Sequence, residues 1–168
     1  MRRLSSAGYR VRQLRWSLCA QLSEADRRWV EDVLMPGERP LFERMPVYDQ
    51  THSVLVAREV ERMGGDNLLL RAALLHDCGK VLPPHRVPLL YRCAVVVLRA
   101  ISPRLLSALA RPWGVLWPVY LHVHHPELGA REIERAGSPH ALAELVRAHQ
   151  EPSADPALRS LQSADAKH

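Results

Sequence analysis

The chain has 168 residues, 47% of them hydrophobic and 24% charged, with a formal net charge of +5, which suits one domain large enough to bury a continuous core without disulfides or oligomerisation. Three cysteines, Cys19, Cys78 and Cys93, give an odd count without C-x-x-C spacing, so neither a disulfide framework nor a thiolate zinc site is indicated and a reducing cytoplasm fits best.

At the front, Arg2, Arg3, Arg10, Arg12 and Arg15 precede the first acidic residue, Glu24. Residues 1–22 therefore read as a basic, poorly ordered, solvated segment. The apolar run behind the arginines is broken by Arg15, Ser17 and Gln21 and lacks the core of a secretory signal. Ser23 with Asp26 resembles a capping box, and the helix it opens should stop before Pro36-Gly37. After a short connection through Met45-Pro46, Asp49 can cap a helix running to Met63, with Gly64-Gly65 as its exit. Its apolar stripe is Leu55, Val56, Val60 and Met63, and His52 lies on that stripe.

Asp66 can cap the next helix, whose residues from Leu68 to Leu75 are apolar on nearly every side, as expected at the centre of a bundle. It ends in His76-Asp77-Cys78-Gly79. Residues 81–117 read as a helical insertion: a Pro-rich lead-in, an apolar helix at 89–100, a second helix after Ser102-Pro103, and a turn at Arg111-Pro112-Trp113-Gly114. The most apolar stretch, 89–98, carries Arg92 and falls well short of the ~20 residues that cross a bilayer, so no transmembrane helix is expected. Pro126 is expected to open a helix that leaves at Gly137, followed by helices from Ser138-Pro139 to His149 and from Asp155-Pro156 towards the C-terminus. No alternating strand pattern interrupts this series. The fold class is all-α: a single helical bundle over 23–168 with the insertion at 81–117.

An imidazole and a carboxylate side by side at the end of an apolar helix, as in His76-Asp77, are unfavourable unless something compensates them, and a bound cation compensates both. An antiparallel hairpin brings His52, one helix earlier, to the same end of the bundle. A hydrogen-bonded core histidine is the plain alternative for either His alone; the combination points to metal. Of the remaining histidines, His125 and His149 can face each other. His122 is a helical neighbour of His125, His124 points elsewhere, and His85, His140 and His168 occupy positions where solvation is the default. Asp165 alone reads as a surface aspartate on the last helix. Lys80 can neutralise a substrate phosphate or favour the helix end.

Assembled in order, His52, His76-Asp77 and Asp165 resemble the signature of the HD superfamily of metal-dependent phosphohydrolases. Ala72-Ala73-Leu74-Leu75-His76-Asp77-Cys78-Gly79-Lys80 is similar to the form in which a small apolar residue, Gly and Lys follow the pair. His125-Pro126-Glu127-Leu128-Gly129-Ala130 and Ala148-His149-Gln150 are similar to two motifs of bimetallic members, and the resemblance spans about 41–165. It implies an HD-type helical domain in which His52, His76, Asp77 and Asp165 hold one divalent transition metal, while Asp77 bridges to a second held by His125 and His149. Iron, manganese and zinc are not distinguished by such nitrogen and oxygen donors. It further implies metal-activated water as nucleophile, with Asp77 and Lys80 as the catalytic residues.

The chain departs from two branches of that family. After His149 it lacks the Gly-Tyr-Pro element of the cyclic di-GMP-degrading branch, and Cys78-Gly79-Lys80 replaces the acidic residues typical of guanosine tetraphosphate hydrolases. The expected function is a cytoplasmic phosphohydrolase acting on a nucleotide or another small phosphate ester or anhydride; the alternative is a non-catalytic metal- or nucleotide-binding sensing module. A small phosphorylated substrate is the expected partner and nucleic acid is not. Arg86, Arg92, Arg99, Arg104 and Arg111 of the insertion either present charge to a polyphosphate or are solvated beside an apolar surface.

Overall fold

A computed structural model describes residues 21–168; the expected N-terminal segment lies outside the described residues up to residue 20. Among the described residues the chain is helical apart from a minimal hairpin. Its elements are α1 (Glu24–Val33), α2 (Arg39–Glu43), α3 (Val47–Arg62), α4 (Asn67–Leu75), a 3-10 turn (Cys78–Lys80), β1 (Val81–Leu82), β2 (His85–Arg86), α5 (Leu89–Ile101), α6 (Pro103–Leu109), a second 3-10 turn (Gly114–Leu116), α7 (Trp117–Arg135), α8 (His140–Ala148) and α9 (Pro156–Lys167). The all-α expectation holds.

Short polar side chains start several of these helices as the sequence indicates. The Ser23 hydroxyl accepts from the Asp26 N–H at 3.0 Å, and the Asp66 carboxylate accepts from the Leu69 N–H at 2.8 Å. Ser102 and Asp155 cap α6 and α9, each followed by Pro at the first helical position. Other boundaries differ. α3 begins at Val47, and Asp49, inside its first turn, is held by Arg92 instead of capping the helix. Pro126 opens nothing; it sits within the 19-residue α7. Ser138 hydrogen-bonds Glu38 at 2.6 Å and does not cap α8. The hairpin, with Val81 opposite Arg86 and Leu82 opposite His85, was not expected, because two-residue strands are too short to show a periodicity.

α4 is the central helix, in contact with α3, α8 and α9. Its residues from Leu69 to Leu75 are all buried, and complete burial of side chains such as Leu74 and Leu75 is worth about 2 kcal/mol each. The core face of α3 is Ser53, Val54, Val56, Ala57 and Val60, whereas Met63, expected on that stripe, is 43% exposed. One ion pair lies wholly inside: Arg71 of α4 meets Glu38, whose carboxylate also accepts from Ser138 and from the Met35 N–H. The insertion builds a separate small core of Val95, Leu106, Ala110 and Val119. Arg92 pins it to the bundle through both oxygens of Asp49 and through the Val87 carbonyl. No helix among the described residues is long and apolar enough to cross a membrane.

Candidate metal centre

Five segments converge at one end of the bundle. His52 comes from α3, His76 and Asp77 from the end of α4, His125 from α7, His149 from the end of α8, and Asp165 from α9. The rings of His52, His76, His149 and His125 form a continuous row, with successive centroids 5.4, 5.3 and 5.2 Å apart. His52, His76 and Asp165 make one triad whose ligand atoms lie within 4.8 Å of one another; Asp77, His125 and His149 make a second. Asp77 Oδ1 stands between them, 3.6 Å from His76 Nε2 and 3.4 Å from His125 Nε2.

The backbone explains why these rings point as they do. His76 Nδ1 lies 2.8 Å from the Ala73 carbonyl, His125 Nδ1 2.7 Å from the His122 carbonyl, and His149 Nδ1 2.6 Å from the Val146 carbonyl. A carbonyl only accepts, so all three rings carry their proton on Nδ1 and turn Nε2 towards the centre. Each accepting carbonyl lies three residues upstream, in a place where the helix has lost its usual donor. His76 and His149 directly follow the last residues of α4 and α8, where the final carbonyls are orphaned. His122 is four residues before Pro126, which has no N–H to offer it. The proline that reads as a helix start thus frees, in mid-helix, the acceptor that orients His125.

The close approach of Asp77 to His125 depends on two glycines. A Cβ at Gly79 would overlap the His125 carbonyl oxygen and lie 2.5 Å from the Gly129 nitrogen. A Cβ at Gly129 would come to 3.2 Å from Cys78 Sγ. The Cys78 thiol lies 3.9 Å from the Gly129 carbonyl, is pushed up to about 12 by burial, and belongs to neither triad.

Electrostatically the centre is poised for a cation. Burial lowers His149 to about 3, aided by the neighbouring His76 and His125 rings. His125 is lowered by burial and by Lys80. Both are therefore neutral near pH 7, the His149 Nε2 lone pair open and that of His125 turned to the Gln150 amide. Among the described residues the buried His149 Nε2 has no hydrogen-bond partner, a position that normally requires an explanation. Burial alone would raise Asp77, but Lys80, His76 and His125 hold it well below the usual carboxylate range. Asp165 is drawn down to about 2, the His52 hydrogen bond at 2.9 Å and the His76 ring outweighing its burial. Two anionic carboxylates facing buried imidazole lone pairs fit a divalent transition metal, and the all-nitrogen and oxygen donor set does not select among iron, manganese and zinc.

Lys80 Nζ sits 2.5 Å from the other Asp77 oxygen, Oδ2, and keeps Oδ1 turned towards the two triads. A cleft of about 410 Å³ opens beside the centre, lined by His149, Gln150, Asp165 and Arg99 among others. Gln150 is not among the residues expected at the site, and Arg99 is expected only as one of the insertion arginines that either present charge to a polyphosphate or are solvated. Gln150 donates its amide N–H to His125 Nε2 at 3.3 Å, and Arg99 reaches the cleft from the insertion, a long-range placement that no local pattern announces. Of the other histidines, His124 is exposed as expected, and His85 stacks on Trp117 at 4.4 Å instead of standing in solvent. His140 lies near Glu134 and Glu144, both also held by Arg147, in an exposed ion-pair cluster.

A helical bundle that gathers four imidazoles and two carboxylates from five segments defines a class of metal-site domain. The family model for the HD domain matches residues 50–168, and the chain belongs to that family. Members are generally metal-dependent hydrolases. No curated protein and no solved structure matched the chain.

Proposed function

We propose that this protein is a metal-dependent phosphohydrolase acting on a nucleotide or another small phosphate ester or anhydride, with His52, His76, Asp77 and Asp165 holding one divalent ion and Asp77, His125 and His149 a second. The observation that supports this most directly is the buried His149 Nε2, which has no hydrogen-bond partner among the described residues and lies beside Asp77 and His125. When bound, the ions would supply Lewis acidity, polarising a phosphoryl oxygen and lowering the pKa of water from 15.7 towards ~7.

The chain's own groups do the rest. The three Nδ1–H bonds to backbone carbonyls fix the imidazoles before any ligand arrives, so little reorganisation is required. Lys80 orients Asp77 and adds positive charge at the floor of the site, where phosphoryl oxygens gather charge during displacement. Arg99, exposed at the cleft and without an ion pair among the described residues, offers a planar fork to an outer phosphate. Gln150 and the cleft wall restrict the approach to His125.

The test is elemental analysis of protein purified without chelator, followed by a phosphate-release screen over nucleoside mono-, di- and triphosphates and dinucleotides. Asp77→Asn should lower both metal content and turnover, the latter at least about 100-fold given what even outer-sphere changes do at metal sites. Full turnover in Asp77→Asn would defeat the assignment. Metal retained by the wild-type chain, a ligand-induced rise in Tm and no hydrolysis of any candidate would favour the sensing module instead.

A further inference from the structure

Helix α5 carries apolar side chains on both its inner and its outer side. Arg92 and Arg99 face into the domain, the first onto Asp49 and the second into the cleft, with Val95 on the same side and only 1% exposed. Helical spacing puts Ala94, Val97 and Ile101 on the opposite side, where Val97 is 56% and Ile101 76% exposed. The pattern continues along the insertion. Leu106 enters the small core while Leu105 remains 49% exposed, and Trp113 and Val115 before α7 are 67% and 77% exposed. Most of the exposed large apolar side chains among the described residues thus fall within one segment of 19 kDa of protein. Scattered singly they would mean nothing; concentrated on one insertion they ask for a partner.

Charge decides which partner. Between Asp77 and Glu127 the chain has no carboxylate side chain at all. Arg86, Arg104 and Arg111 are exposed there and none makes an ion pair among the described residues. A second copy docking through the same face would bring two uniformly positive surfaces together. An anionic bilayer meets both demands: its acyl region takes the apolar side chains, and its headgroups take arginines whose stems lie along the interface. α5, with 13 residues, is about 20 Å long and cannot cross the ~30 Å hydrocarbon layer, so it would lie in the plane of the membrane. We propose that the outer face of α5, with Leu105, Trp113 and Val115, docks this protein on an anionic lipid bilayer. Arg99 on the inner side of the same helix then sets the cleft one helix diameter from the lipid surface.

The full chain would be sedimented with phosphatidylcholine vesicles and with vesicles that also contain phosphatidylglycerol. The expected result is retention on the anionic vesicles only, weakened by added salt. Val97→Ser with Ile101→Asp, and separately Val115→Asp, should each reduce retention about tenfold. Met35→Ser and Met63→Ser, exposed apolar positions elsewhere, should leave it unchanged. Circular dichroism and Tm would confirm that each variant is folded, and because the readout is binding, it is independent of any hydrolytic activity. Absence of retention on the anionic vesicles would overturn the proposal, as would retention that the α5 variant leaves intact. A dimer in light scattering that Ile101→Asp separates would overturn it in favour of a second copy, and loss of retention to competing duplex DNA with the same mutational pattern would overturn it in favour of nucleic acid.

Discussion

His149 carries the most information of any single side chain. It is 4% exposed, its Nδ1–H is committed to Val146, and its Nε2 has no hydrogen-bond partner among the described residues. In metal-free protein such a group is a liability of about 1–3 kcal/mol. His149→Leu, of similar volume and without polar atoms, should therefore melt at or above the wild-type temperature in the presence of chelator. With manganese added the order should reverse, because the wild type gains binding energy in the folded state that the variant largely lacks. Differential scanning calorimetry in the two conditions checks this; a variant that is less stable in both would assign His149 a purely structural role. The His76-Asp77 pair was legible in the sequence because its burial is implausible without compensation. Gln150 was not, and Arg99 stood out from the other insertion arginines in no way, since what brings the two to the site is the packing of the insertion and a turn conformation, neither of which leaves a periodic trace.

At the level of the element, α7 departs furthest from the sequence reading. Pro126 has the form of a helix start, and Pro at the first position is so favourable that the inference was natural. The 19-residue helix tolerates it because the freed His122 carbonyl regains a donor from His125. Pro126→Ala restores a backbone N–H that competes for that carbonyl. The expected outcome is a higher Tm together with weaker metal retention, measured by calorimetry and by competition with a chromogenic chelator. A variant gaining stability with unchanged retention would show that the carbonyl serves both donors. Asp49 misleads for a related reason: an acidic residue in a first turn is favourable near a helix N-terminus whatever else it does, and its actual partner, Arg92, is far along the chain. By contrast Ser23, Asp66, Ser102 and Asp155 were readable, because a cap and the N–H it satisfies are neighbours in sequence.

Across the whole molecule, the Glu38–Arg71–Ser138 contact ties the segment before α2, the central helix and the turn before α8 together inside the core. Burial would raise Glu38, but hydrogen bonds from Arg71, Ser138 and Met35 outweigh it and hold the carboxyl below its ordinary 4.5. A depressed folded-state pKa stabilises fully above about pH 4.5, and that contribution disappears as the pH falls through the folded value. Arg71→Met leaves the carboxylate buried beside fewer donors. We expect a loss of about 3–5 kcal/mol at pH 7, shrinking towards pH 4 as the unpaired Glu38 takes up a proton, as urea titrations across that range would reveal. A penalty independent of pH would mean that lost packing, and not charge, is responsible. The architecture as a helical bundle was readable from composition and apolar runs. This buried network was not, because its three members lie in separate parts of the chain and each resembles a surface residue.

The backbone locks on His76, His125 and His149 also bear on how the gene can change length. Each ring is aimed by a carbonyl three residues upstream, so an insertion or deletion within those three-residue windows would rotate an imidazole out of the proposed metal centre even if all three histidines were kept. Additions in the turn around Gly114–Leu116 leave all three windows intact. Relatives of this chain should therefore vary freely in length at that turn while holding the counts 73 to 76, 122 to 125 and 146 to 149 fixed, so that spacing is inherited as strictly as residue identity.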